Sequence, residues 1–131
     1  MPVTAVTPQI RTTNLEESIQ FYTATLGFDL AFQVEDFYAG IRVTDSHMIH
    51  LKLVDDPDPS ISVVQAGYHL HLAFTVEDVH ALAAALKGKG VTVHKDLSET
   101  PWGFTDFYIL DPQGHVLCFA SGGDDETPQQ S

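Results

Sequence analysis

The sequence is poor in cysteine and in basic residues, and it has no long apolar run. It contains one cysteine, Cys118, and six lysines and arginines against eighteen aspartates and glutamates, for a formal net charge of -12. A single cysteine excludes a disulfide framework and is typical of a reducing compartment. No stretch approaches the roughly 18 apolar residues that a bilayer span requires, which excludes a transmembrane helix.

The scarcity of positive charge also limits the partners. A surface of this sign repels phosphate backbones and anionic lipids and attracts cations, so we expect neither a nucleic-acid nor a membrane partner. Residues Met1 to Thr4 lack the basic flank and apolar core of a signal peptide, and we therefore expect a cytoplasmic protein. The sequence also lacks a Gly-x-Ser-x-Gly elbow, a Walker loop and a dinucleotide fingerprint.

Two amphipathic helices are predicted at matching places in two halves of the chain. Asn14 begins the first helix, and Glu17 follows three residues later. At this spacing each of the two side chains can accept the backbone N–H of the other residue. Asp78, sixty-four residues after Asn14, begins the second. Glycines end both helices, Gly27 the first, and Gly88 and Gly90 the second. The apolar stripes that define them are Leu15, Ile19, Tyr22 and Leu26, and Val79, Leu82, Ala83 and Leu86.

One extended segment precedes each helix and three follow it. The predicted strands cover residues 4–12, 29–34, 37–43 and 47–53, and then 68–76, 91–96, 103–110 and 116–120. The chain is therefore predicted to be one domain, residues 1–120, made of two βαβββ modules at about 4–54 and 67–120. The acidic stretch from Val54 to Pro59 begins the segment that links the two modules. The polar tail 121–131 is expected to be disordered.

Three passages resemble the vicinal oxygen chelate superfamily, the glyoxalase, bleomycin-resistance protein and dioxygenase type. They are Asn14 to Tyr22 running on to Leu26-Gly27-Phe28, Met48 to Leu51, and Pro101-Trp102-Gly103 running on to Asp111-Pro112-Gln113-Gly114. The last two are most similar to the bleomycin-resistance-like branch. The resemblance implies an α+β fold in which paired βαβββ modules form a curved mixed-sheet half-barrel cup, with helices outside and ligand inside, commonly as a homodimer.

Strand alternation predicts which side chains line such a cup, because one face of each strand must cover a helix. On each of four strands, one set of alternating side chains is predicted to point inward. These sets are His69, His71 and Ala73; Met48, His50 and Lys52; Trp102, Phe104, Asp106 and Tyr108; and Val116, Cys118 and Ala120. From these positions and one further aromatic residue we predict a ligand-binding set of Tyr38, His50, His71, Trp102, Phe104, Asp106, Tyr108 and Cys118.

Internal symmetry identifies four equivalent points. Thr7 and His71 share one register in the first strand of each half, and His50 and Cys118 share one in the last. The resemblance implies that these points hold a divalent ion in metal-dependent members. Here they include no carboxylate, which hard and borderline ions need, although two imidazoles and a thiol suit zinc. Cys118 is more often a small buried apolar residue than a ligand.

Two functional hypotheses follow. The first is a non-catalytic, antibiotic-resistance type of protein that sequesters a planar or cationic small molecule between aromatic walls, with no metal or other cofactor. The alternative is a metal-dependent lyase, isomerase or dioxygenase. In it His50 and His71, with Cys118 as a third candidate, hold one zinc, nickel, manganese or iron ion as a Lewis acid. The sequence assigns no catalytic residue.

Overall fold

A computed structural model of the protein describes residues 3–55, 58–66 and 71–122. The chain divides into two compact units, Met1–Tyr68 and His69–Ser131, called here the first and second modules. None of the helices within the described residues has the length and apolar character needed to cross a bilayer.

Each module is a four-stranded mixed sheet with a helix between its first two strands. The first contains β1 (Gln9–Thr12), α1 (Leu15–Gln20), a π-helical turn (Phe21–Thr25), β2 (Asp29–Val34), β3 (Tyr38–Thr44), β4 (His47–Leu53) and α2 (Pro59–Gln65). The second contains β5 (Leu72–Thr75), α3 (Val79–Gly88), β6 (Thr92–Glu99), β7 (Thr105–Leu110) and β8 (Val116–Ser121). The strand orders β1-β4-β3-β2 and β5-β8-β7-β6 confirm the α+β class and the repeated βαβββ arrangement.

The first helix begins as predicted, but with a different partner for its capping residue. Asn14 Oδ1 accepts the backbone N–H of Glu17 at 3.0 Å, which satisfies one of the donors left open at a helix start. The backbone N–H of Asn14 donates to Thr12 Oγ1 at 3.0 Å. The sequence had predicted the side chain of Glu17 as the acceptor of this N–H. Gly27 ends the helical segment with a φ of 82°, a conformation that glycine adopts at little cost.

The second helix repeats this arrangement. Asp78 accepts the N–H of Ala81 at 3.1 Å, and the buried residues Val79, Ala83 and Leu86 confirm three of the four positions of the predicted stripe. In both modules the helix contacts the central strands of its own sheet. The sheet residues buried on the helix side are Ala39, Ile41, Ile49 and Leu51 in the first module and Phe107, Ile109, Leu117 and Phe119 in the second.

Several predicted boundaries were wrong. Strand β1 begins at Gln9, so the predicted strand is five residues too long at its start. Strand β7 begins at Thr105, and β8 runs to Ser121, inside the predicted tail. The start of the predicted strand 68–76, which includes His69 and Leu70, and residues 123–131 of the tail lie outside the described residues.

Helix α2 was not predicted at all. Asp58 caps it by accepting the N–H of Ser60 at 2.8 Å, and Pro59 occupies its first turn, where the missing N–H costs nothing. Its buried residues Ile61 and Val64 pack toward β1. The link between the sheets is therefore partly helical.

We predict that the Asp-Pro-Gln-Gly turn is held mainly by Asp111. This side chain is 6% exposed, and its Oδ1 accepts the N–H groups of Gln113 at 2.9 Å and His115 at 2.8 Å. Asp111→Ala leaves two N–H groups without this acceptor and should lower the free energy of unfolding by about 1–3 kcal/mol in urea titrations. Asp111→Asn keeps an accepting oxygen and should lower the free energy of unfolding clearly less. Equal decreases for the two variants would contradict this account.

Candidate functional site

The strand registers confirm the internal symmetry predicted from the sequence. Gln9 of β1 pairs with His50 of β4, and Ala73 of β5, sixty-four residues after Gln9, pairs with Cys118 of β8. His50 and Cys118 are therefore equivalent positions of the two sheets. Thr7 and His71 each lie two residues before the paired residue, just outside β1 and β5, and both are exposed.

The open face of the first module is the side of its sheet that the helix α1 does not cover. Its central row crosses all four strands through the register partners Gln9, His50, Gly40 and Phe32. Tyr38 lies on the same face, two residues before Gly40 along β3. The row therefore includes one predicted site residue, His50, and a second, Tyr38, lies beside the row on the same face.

Three rings on this open face form a compact cluster. The ring centroids of Tyr38 and His50 are 5.3 Å apart, as are those of Phe32 and His50, and both pairs are edge-to-face. The rings of Phe32 and Tyr38 are stacked with centroids 6.3 Å apart. Tyr38 Oη and His50 Nδ1 are 2.8 Å apart, and Gln9 Nε2 donates to Tyr38 Oη at 3.2 Å. The cluster is thus fixed by both ring contacts and hydrogen bonds.

Glycine at position 40 is what allows Phe32 to lie over the sheet. A Cβ atom built on Gly40 would overlap the ring of Phe32. The ring therefore covers the backbone of the neighbouring strand, and 38% of Phe32 remains exposed. Sequence analysis missed Phe32, although a glycine in the middle of a strand is a signal for close approach of a neighbour.

A bulge in β2 explains why alternation alone did not indicate Phe32. Leu30 pairs with Ile41, on the helix side, and uninterrupted pairing would place Phe32 on that side too. The register shifts between Leu30 and Phe32, so that Phe32 pairs with Gly40 on the open face.

The second module carries a different set of side chains at the equivalent positions. Its central row consists of Ala73, Cys118, Tyr108 and Lys95. The Nζ of Lys95 lies 5.9 Å from the centroid of the Tyr108 ring, and the ring of His71 lies edge-on to Tyr108 at 6.3 Å. Four predicted site residues, His71, Asp106, Tyr108 and Cys118, therefore belong to one neighbourhood, to which the structure adds Lys95.

Two side chains of this neighbourhood, Tyr108 and Cys118, are held in their neutral forms. Burial raises the pKa of Tyr108 to about 12, with further contributions from its hydrogen bond to Cys118 and from the charge of Asp106. Burial also raises the pKa of the Cys118 thiol, an effect that the hydrogen bond from Tyr108 opposes and the charge of Asp106 reinforces. A thiol with a raised pKa is a poor nucleophile and a poor metal ligand at neutral pH.

The two remaining predicted site residues lie outside the strands. Trp102 belongs to the turn before β7 and is 62% exposed, whereas Phe104 is 8% exposed. The sequence predicted that both side chains lie on the same strand face as Asp106 and Tyr108. Because β7 begins only at Thr105, Trp102 and Phe104 are not part of that strand. Their roles in ligand binding stay predictions.

A bound divalent ion needs several imidazole, thiolate or carboxylate ligands close together. Within residues 3–55, 58–66 and 71–122, no group of three or more His, Cys, Asp or Glu side chains is arranged to hold a metal. His50 Nδ1 is engaged with Tyr38, and the pKa of Cys118 is raised. The side chains described give the metal-dependent hypothesis no additional support.

The sequence matches the model of the Glyoxalase/Bleomycin resistance protein/Dioxygenase superfamily over residues 4–119. The chain belongs to this superfamily, as the resemblance noted from the sequence indicated. Among proteins of curated function, none matches the sequence significantly.

Solved structures with this fold include antibiotic-binding proteins. TnmS3, an antibiotic binding protein from Streptomyces sp. CB03234, is 24% identical with a TM-score of 0.75, covering 94% of this chain and 99% of its own. The bleomycin-binding protein of Streptomyces verticillus, solved with copper(II)-bleomycin, is 20% identical with a TM-score of 0.70, covering 95% and 99%. An integron cassette protein from the Halifax Harbour sewage outfall metagenome is 28% identical with a TM-score of 0.72, covering 88% and 95%.

We expect the Cys118 thiol to react slowly with aromatic disulfide reagents at neutral pH, because its pKa is raised. Asp106→Asn removes a negative charge that raises this pKa, so the midpoint of the pH–rate profile should move to lower pH and the rate at pH 8 should increase. Glu77→Gln, which removes an exposed charge just before helix α3, is the control and should leave the profile unchanged. Identical profiles for all three proteins would show that Asp106 does not act on the thiol.

Gly40→Ala should displace the Phe32 ring and leave the fold intact, because the overlapping atoms belong to a side chain that can turn away. Nuclear Overhauser contacts between Phe32 and His50 should disappear. Gly88→Ala is the matched control, since a Cβ there meets no atom within 4 Å. Retention of the Phe32–His50 contacts in Gly40→Ala would contradict the described packing.

Proposed function

We propose that the protein binds a planar small molecule without chemically altering it, as an antibiotic-sequestering member of its superfamily. The observation that carries this proposal is the ring cluster of Phe32, Tyr38 and His50 on the open face of the first module. Rings held in fixed orientations give a planar ligand a large contact area at low entropic cost. The antibiotic-binding proteins that share the fold support the same class of ligand.

The chemistry of the second module supports binding over catalysis. Tyr108 and Cys118 have raised pKa values, so neither supplies a ready base or nucleophile at neutral pH. Their neutral side chains, beside His71 and Lys95, offer polar contacts and an aromatic surface to a bound compound. The proposal requires no metal or other cofactor. A homodimer, expected from the resemblance, is part of the same proposal.

Binding should be measured by isothermal titration calorimetry with bleomycin, copper(II)-bleomycin and planar polycyclic antibiotics of the anthraquinone type. At least one compound should bind, and chromatography should recover it unaltered. Phe32→Ala removes the exposed stacking surface and should weaken binding of that compound about tenfold, or about 1.4 kcal/mol.

Phe37→Ala is the matched control for this experiment. Phe37 is exposed to a similar extent, 46%, but belongs to the turn between β2 and β3 and not to the ring cluster. Its removal should leave the affinity unchanged. Failure of every compound to bind, or conversion of the bound compound to a product, would refute the proposed function.

A further inference from the structure

The basic residues of the first module all lie on its open face. The only lysines and arginines in residues 1–68 are Arg11, Arg42 and Lys52. All three lie on the open face: Arg11 and Lys52 pair with each other in the row next to His50, and Arg42 lies two residues after Gly40 along β3. Local charge, and not the net charge of -12, governs what a bound ligand meets.

Lys52 differs from the two arginines of this group in its negative partners. Arg42 has Asp29 as its register partner, and Arg11 Nη1 lies 3.3 Å from Asp58 Oδ2. Hydrogen bonds from Ser60, together with the charges of Arg11 and Lys52, lower the pKa of Asp58, which is therefore ionised. Arg11 and Lys52 therefore both act on this carboxylate. Lys52 forms no ion pair within 4.0 Å to any described residue and is the register partner of Tyr38, so it places a positive charge beside that ring.

The hydrogen-bond chain on the same face determines the tautomer of the His50 imidazole. Gln9 donates to Tyr38 Oη, and the single hydroxyl proton of Tyr38 is then satisfied by donation to His50 Nδ1. With Nδ1 accepting, the neutral imidazole carries its proton on Nε2. The opposite tautomer would direct two donors at Tyr38 Oη and leave the hydroxyl proton without this acceptor. His50 therefore presents an N–H donor.

We propose that the open face of the first module binds a planar aromatic compound that carries an anionic oxygen, as a phenolate or carboxylate. Phe32 supplies the stacking surface, His50 Nε2–H donates to the oxygen, and Lys52 provides the opposing charge. This inference rests on the proposed function and narrows it to one class of ligand. It also reverses the preference for a cationic compound that the net charge suggested.

The charge requirement is tested with two matched probes, anthraquinone-2-carboxylate and its neutral amide, anthraquinone-2-carboxamide. Calorimetry at low ionic strength should show the carboxylate binding about tenfold more tightly. Lys52→Met keeps an unbranched side chain of nearly the same length without the charge. It should remove most of this difference while leaving the amide's affinity unchanged. Lys89→Met is the control: it changes the net charge by the same amount in the second module and should leave the difference intact.

The role of His50 has a readout that needs no ligand. Nitrogen-15 NMR of the imidazole should show the Nε2–H tautomer in the free protein, and Tyr38→Phe should shift the equilibrium toward the other tautomer. Finding Nδ1–H in the unmodified protein would overturn the donor assignment.

The outcomes separate this inference from the proposed function. If other planar antibiotics bind but the carboxylate has no advantage over the amide, or Lys52→Met weakens both equally, the charge inference is wrong and the binding function stands. If neither the probes nor any antibiotic of the panel binds, both are wrong.

Discussion

The parallel pairing of the first and last strands closes each module, and the geometry of the candidate site depends on it. Backbone bonds from His50 to Pro8, from Val54 to Thr12 and from Val76 to Ala120, each 2.9 Å long, join strands far apart in sequence. This pairing places Gln9 beside His50 and Ala73 beside Cys118. Because side chains alternate across a strand, the same register assigns one face to the helix and the other to a ligand.

The two modules keep the same backbone plan and differ in the chemistry of the open face. At equivalent positions, the first module has His50 and Phe32 where the second has Cys118 and Lys95. The substitutions cost the fold little because these positions do not pack under the helices. A ring cluster in one module and a Tyr108-centred polar neighbourhood in the other are therefore compatible with one duplicated framework.

The electrostatics of the site differ from those of the protein as a whole. Eighteen acidic residues make the chain strongly negative, yet the basic residues of the first module all lie on one face of its sheet. Within a few ångströms, local charges and hydrogen-bond donors outweigh a net charge spread over a screened surface. The hydroxyl of Tyr38 sets the tautomer of His50, and burial keeps Cys118 neutral. The site therefore offers a ligand hydrogen-bond donors and aromatic rings.

The sequence by itself determined the features that depend on near neighbours. Helix starts at Asn14 and Asp78, strand alternation, and the equivalence of His50 and Cys118 follow from local spacing and from the internal repeat. The start of helix α2 is local as well, because Asp58 followed by Pro59 is a typical helix beginning. Only the tertiary structure placed Phe32 over Gly40 and linked Gln9, Tyr38 and His50. These contacts depend on a bulge and on cross-strand registers, which are decided by packing between distant segments and not by local pattern.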